Sequence, residues 1–219
     1  MIKMERHFDE ELDILKNSLM EMAALTDSAI RKAVGALQER NCALSKSVIE
    51  GDRRINELEI KIEEHAVDLI ARRQPLAGDL RFITTGMKLN AELERIGDLA
   101  VNVAQRVMDI CSSPALPGLS CLMELTDIAG VMVKRSIESF VTGDTALARD
   151  IIAMDERADA FRNKTHKDMV QYIRSDVNLI DTALPVILMA RHLERICDHA
   201  SYIAEDVVYM VEAENIKHK

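Results

Sequence analysis

Two hexapeptides carry the first chemical signal in this chain, LERIGD at 93–98 and LERICD at 193–198. In each, a glutamate stands four residues before an aspartate: Glu94/Asp98 and Glu194/Asp198. On a helix that spacing stacks two like charges on one face, one turn apart. Such a pair weakens an isolated helix by about 0.2–0.5 kcal/mol. Charges of this kind usually coat a solvated face, and Arg95 and Arg195 stand where they can pair with the aspartates at i,i+3. Two pairs placed alike nevertheless invite a cation. Grouped carboxylates with no adjacent thiolate suit a metal that prefers oxygen: iron, manganese, magnesium or calcium, with zinc less typical.

A second acidic stripe, Asp52, Asn56, Glu59 and Glu63, follows helical spacing earlier in the chain, and its counterpart reads Asp155, Asp159, Arg162 and His166. Each half can therefore bring two stripes from neighbouring helices onto one surface patch. His192 and His199 flank the second motif but point away from Glu194 and Asp198 at 100° per residue, so they read as polar-face histidines. Cys197, in place of Gly97, reads as a small packing residue. Arg72 and Arg73 suit a helix C-terminus, where the dipole favours cations. No glycine-rich phosphate loop, nucleophile elbow or HExxH motif occurs in the sequence.

These residues need helices to position them. Leu89, Leu93, Ile96, Ala100, Val103 and Val107 alternate spacings of four and three, as do Met189, Leu193, Ile196, Ala200, Ile203, Val207 and Met210. This is a heptad seam of a helix packed lengthwise in a bundle, with Glu94, Asp98, Glu194 and Asp198 at the b and f positions outside it. The stripe on the preceding helix flanks a seam of Ile55, Leu58, Ile62 and Leu69. Helices are expected at about 5–40, 43–73, 79–110, 118–142, 145–173 and 178–213, with Asp79 capping the third and Pro185 delaying or kinking the sixth. The stretch CSSPALPGLS (111–120) breaks the pattern and divides the chain into units 1–112 and 118–219 joined by a linker at 113–117. Residues 29–52 align without gaps on 132–155, and LERIGDLAVNVA on LERICDHASYIA. The chain is thus an all-α tandem duplication of a three-helix bundle.

Composition agrees. Aromatic residues make up 3% of 219, with no Trp, so a hydrophobic fraction of 48% must build its core from aliphatic residues and methionine. The formal net charge of −9 makes nucleic acid an unsuitable partner. Four scattered cysteines without a CxxC pair are expected to be reduced thiols of a cytoplasmic protein. No apolar run approaches the ~20 residues of a membrane span, and the first residues lack a signal-peptide pattern.

The segment GDRRINELEIKIEEHAVDLIARRQPLAGDLR (51–81), followed by LERIGDLAVNVA, resembles the PhoU family of bacterial phosphate-specific transport accessory proteins, and the resemblance covers both halves. It implies two tandem three-helix bundles and multinuclear iron or zinc clusters on their surface, held by E/DxxxD pairs. By position these are Asp52/Asn56 with Glu94/Asp98, and Asp155/Asp159 with Glu194/Asp198. It also implies a cytoplasmic, often dimeric regulator in place of an enzyme, keeping the phosphate-starvation response off through the ATPase of the phosphate ABC transporter and the phosphate-sensing histidine kinase. Asn56 departs from the acidic pattern and coordinates without charge, which makes the copy near Glu194 and Asp198 the first place to look for metal. The second unit also lacks a counterpart to Asp79-Leu80-Arg81, so the halves are not expected to be equivalent. Two other readings compete: a carboxylate-bridged di-iron enzyme, which needs core-facing Glu-x-x-His motifs, and a plain structural bundle whose acids only keep it soluble.

Overall fold

In the computed structural model, which describes residues 2–113 and 119–216, six long helices form: α1 (Ile2–Glu39), α2 (Cys42–Arg73), α3 (Ala77–Ile110), α4 (Ser120–Thr142), α5 (Thr145–Ser175) and α6 (Ile180–Glu212). The seam residues are the ones that disappear from solvent. Leu93, Ile96, Val103, Leu193, Ile196 and Ile203 are all at most 2% exposed. Ile55, Leu58, Ile62 and Leu69 line the buried side of α2. Removing aliphatic area of this kind from water contributes roughly 25 cal/mol per Å², which is what holds such long helices in place.

Helices α2, α3, α6 and α5 lie side by side in that order; α1 packs on α2 and α3, α4 packs on α5 and α6, and α1 meets α4. The two units therefore share one continuous core. Helices α3 and α6 run antiparallel. Arg81 donates to the Met210 carbonyl at 3.2 Å, Lys88 to Asp206 at 2.9 Å, and Glu92 meets His199 at 2.5 Å, so ascending positions on one helix face descending positions on the other. This antiparallel pairing sets LERIGD and LERICD at the same level of the molecule.

The duplication extends to the turns. Asn41 Oδ1 accepts the Leu44 N–H at 3.0 Å and Asp144 Oδ1 accepts the Leu147 N–H at 2.9 Å, each capping the second helix of its unit. The residue before each cap is left-handed, Arg40 at φ 52° and Gly143 at φ 68°. Helix α2 ends in the same way, with Gln74 at φ 48° returning its N–H to the Ile70 carbonyl, and Pro75 follows.

Two expectations are corrected here, for Asp79 and for the cysteines. Asp79 does not cap α3: the helix starts at Ala77 behind Leu76, and Asp79 lies inside the first turn, where its charge favours the helix dipole. The sixth helix begins at Ile180 after a short 3-10 turn (Val177–Leu179), and Pro185 is carried in its second turn. There the missing N–H forfeits only the bond to the Asp181 carbonyl. The cysteines are not all free thiols. Cys42 and Cys111 pair as a disulfide with Cα atoms 6.1 Å apart, while Cys121 and Cys197 are free and buried. Spacing could not reveal this, because 69 positions separate the two and only the antiparallel folding of α2 on α3 joins them. Of the expected linker, residues 114–117 lie outside the described residues; Ser113 precedes them and its carbonyl accepts from Arg40.

Candidate functional site

Between α2 and α3 the two acidic stripes come together. Asp52 is partly covered because Gly97 lets α2 approach closely: a Cβ there would stand 3.1 Å from the Ile55 side chain and 3.8 Å from Asp52 Oδ1. Asp52 Oδ2 accepts from the Asn56 amide at 3.0 Å, whereas Oδ1 is buried with no hydrogen-bond partner. Burial, then the charge of Asp98, holds Asp52 above its ordinary carboxylate range against the Asn56 bond. Glu94 is raised likewise, by burial first and then by Asp98, Glu59 and Asp52, with Arg95 opposing. Asp52, Glu59, Glu94 and Asp98 thus form one mutually repelling group, with Asn56 at its edge. Glu63 lies on the exposed side of α2.

The α5/α6 groove is built from the equivalent positions but neutralised differently. Asp155 and Asp198 are both raised, each by burial first; Glu194, Asp155 and Asp159 add to the effect at Asp198, which is pushed up to about 6. Cys197 stands where α3 has Gly97 and is fully buried, as its small size allows, and burial pushes its thiol up. The Arg162 guanidinium enters this patch, with Nη2 donating to Asp159 at 3.3 Å and to Glu194 at 3.2 Å. The pairings Arg95–Asp98 and Arg195–Asp198 are not among the ion pairs of the described residues; Arg162 takes that role in the second patch alone. His166 is exposed further along α5, beside Lys167 and Arg174.

Each sequence-predicted set is therefore brought together: Asp52, Asn56, Glu94 and Asp98 in one groove, Asp155, Asp159, Glu194 and Asp198 in the other. As the side chains stand, no three His, Cys, Asp or Glu groups among the described residues converge into a metal cage. The donor set is one of hard oxygens, and its unpartnered Asp52 oxygen and mutually raised carboxyls are the features a cation would relieve.

Periodicity missed the polar ladder between α3 and α6. His199 is not a polar-face residue: it is 8% exposed, donates from Nδ1 to Glu92, and meets Tyr202 edge-on. His192 is half-buried, and burial, then Arg106, Arg195 and Arg191, holds its imidazole below the usual value. The signal was present in the heptad frame. His192, His199 and Asp206 recur every seven residues at one position flanking the seam, as charged residues do when they face a partner helix.

Fold and surface together define a duplicated six-helix bundle that carries its paired E/DxxxD carboxylates on partly covered outer grooves. The PhoU domain profile matches residues 19–107 and again 122–207. A PhoU homologue of Aquifex aeolicus, a phosphate-specific transport system accessory protein, is 37% identical over 96% of this chain and 95% of its own length. Homologue 1 of Thermotoga maritima is 35% identical over 96% and 91%. The crystal structure of PhoU from Pseudomonas aeruginosa superposes with a TM-score of 0.91 at 34% identity, covering 94% of this chain and 100% of that one. That of the phosphate transport regulatory protein PhoU from Streptococcus pneumoniae gives 0.89 at 25% identity, covering 96% and 99%. The chain belongs to the PhoU family.

Proposed function

We propose that this chain is a regulatory accessory of phosphate uptake and signalling. In this reading it restrains the phosphate-starvation response by contacting the ATPase of the phosphate ABC transporter and the phosphate-sensing histidine kinase from the cytoplasmic side. The observation that carries this reading is the match over nearly the whole chain to relatives named as phosphate transport accessory and regulatory proteins. A contact-based role also agrees with the placement of the candidate residues: the carboxylates sit in outer grooves, while the positions a di-iron enzyme would use for ligands are filled by buried Leu, Ile and Ala. No helix among the described residues is long and apolar enough to cross a membrane. Association with the transporter would therefore run through protein contacts, with a homodimer as the expected assembly.

The same reading gives each groove a candidate metal-ligand set, Asp52, Asn56, Glu94 and Asp98 in the first and Asp155, Asp159, Glu194 and Asp198 in the second. A bound iron, zinc or manganese ion would neutralise carboxylates that now repel one another and would tie the second helix of a unit to the third. The decisive experiment combines genetics with co-purification. Deleting the gene is expected to make phosphate-starvation genes constitutive, and the tagged protein is expected to retain the kinase and the ATPase. Normal repression in a clean deletion would refute the regulatory role.

A further inference from the structure

We propose that Arg162 is a built-in counter-ion that closes the α5/α6 groove to metal, leaving the α2/α3 groove as the cation site of this chain. The inference rests on the metal reading above for the α2/α3 groove and narrows it for the α5/α6 groove, whose ligand set Arg162 keeps closed in the wild-type chain. The two grooves are copies, so their differences are informative. At the aligned position one turn beyond Asn56 and Asp159, α2 carries Glu59 and α5 carries Arg162, a reversal of charge. The Arg162 guanidinium holds Asp159 of its own helix and Glu194 of α6 with the same nitrogen, at 3.3 and 3.2 Å. It therefore already bridges the two helices that a metal would bridge, and it occupies one ligand from each. Its Nη1 is anchored on Asn163 at 2.7 Å, and its Nε is buried.

The planar guanidinium fork matches carboxylate oxygens, so Arg162 competes with a cation for the same donors. A divalent ion entering the groove must break both contacts and stand beside a fixed positive charge. Among the described residues no such group enters the α2/α3 groove. The neutral Asn56 amide donates to one Asp52 oxygen and leaves the other buried without a partner. Arg95 acts on Glu94 from an exposed position, and among the ion pairs of the described residues it has none in the groove. Asn56 had made this the weaker copy on sequence grounds; the charge at position 59 against 162 reverses that ranking.

The test counts metal in full-length protein stripped with chelator and titrated with Mn(II) and with Zn(II), by calorimetry and by elemental analysis after gel filtration. Wild type is expected to lose its tight metal in the Glu94→Gln/Asp98→Asn variant and to keep it in Glu194→Gln/Asp198→Asn. Arg162→Glu, which copies Glu59, is expected to double the metal bound; Arg162→Gln should open the second groove more weakly, and Glu59→Arg should empty the first. Circular dichroism confirms that each variant folds. Metal lost equally with either pair of ligand substitutions, and unchanged by Arg162→Glu, would overturn the role of Arg162 while leaving the metal reading intact. No metal in wild type and none in Arg162→Glu would overturn both.

Discussion

At the scale of single residues, crowded carboxylates make a prediction about pH. Asp198 has its carboxyl raised from 3.8 to about 6 in the folded chain. Between those values the folded state binds more protons than the unfolded state, so metal-free protein loses stability as pH rises through this window and has lost the full contribution above it. Asp52, Glu94 and Asp155 shift in the same direction. Asp198→Asn should therefore raise the melting temperature of chelated protein at pH 7.5 by about 2–4 °C, on the order of 1 kcal/mol after solvent screening, and flatten its pH dependence. An unchanged pH profile in that variant would mean the charge is not felt in the fold. Packing makes a second prediction. The units exchange volume across the helix contact: Ile55 faces Gly97 in the first, while Ala158 and Cys197 hold the aligned positions in the second. Gly97→Cys should cost about 1–3 kcal/mol by overpacking, and most of that should vanish in the Ile55→Ala background, as a double-mutant cycle in urea would measure. The acidic members of both grooves were legible from i,i+4 spacing alone. The cation in one groove was not, because Arg162 reads as a routine surface residue until the hairpin brings it to Glu194.

At the scale of helices, the seams of α2, α3 and α6 were fully written in apolar spacing, and the turns less so. Asn41 and Asp144 are aligned copies of one cap, and each supplies a side-chain oxygen to a backbone N–H three residues on. Replacing either by Ala should cost about 0.5–2 kcal/mol, a loss readable from denaturant midpoints at unchanged slope. The two losses should add, because the caps lie in different units. Asp79 misled for an instructive reason: capping residues and acidic first-turn residues are drawn from the same chemistry, so composition places them only to within about one turn. The ladder of His192, His199 and Asp206 on α6 escaped notice because each residue taken alone suits a wet surface. Their sevenfold spacing acquires meaning only once α3 lies against them with Glu92, Arg106 and Lys88.

At the scale of the molecule, antiparallel packing of α3 on α6 welds two duplicated units along their longest shared face, and its polar contacts set the register. The paired sulfurs of Cys42 and Cys111 add a constraint that acts within the first unit only. Titration with a thiol reagent should count two free cysteines in denatured, unreduced protein and four after reduction. Reduction should lower the melting temperature, since a cross-link over so long a loop contributes about 2–4 kcal/mol. The bond also changes what a cut in the backbone means. Helices α2 and α3 and the turn between them form a closed covalent ring, which α1 enters at Cys42 and from which the second unit leaves at Cys111. A protease that nicks the exposed turn at Leu76, which is 80% accessible, opens the ring without releasing a fragment. On a denaturing gel the nicked chain should run as one species without reductant and as two with it, so its covalent integrity at that turn depends on sulfur chemistry about a whole helix length away.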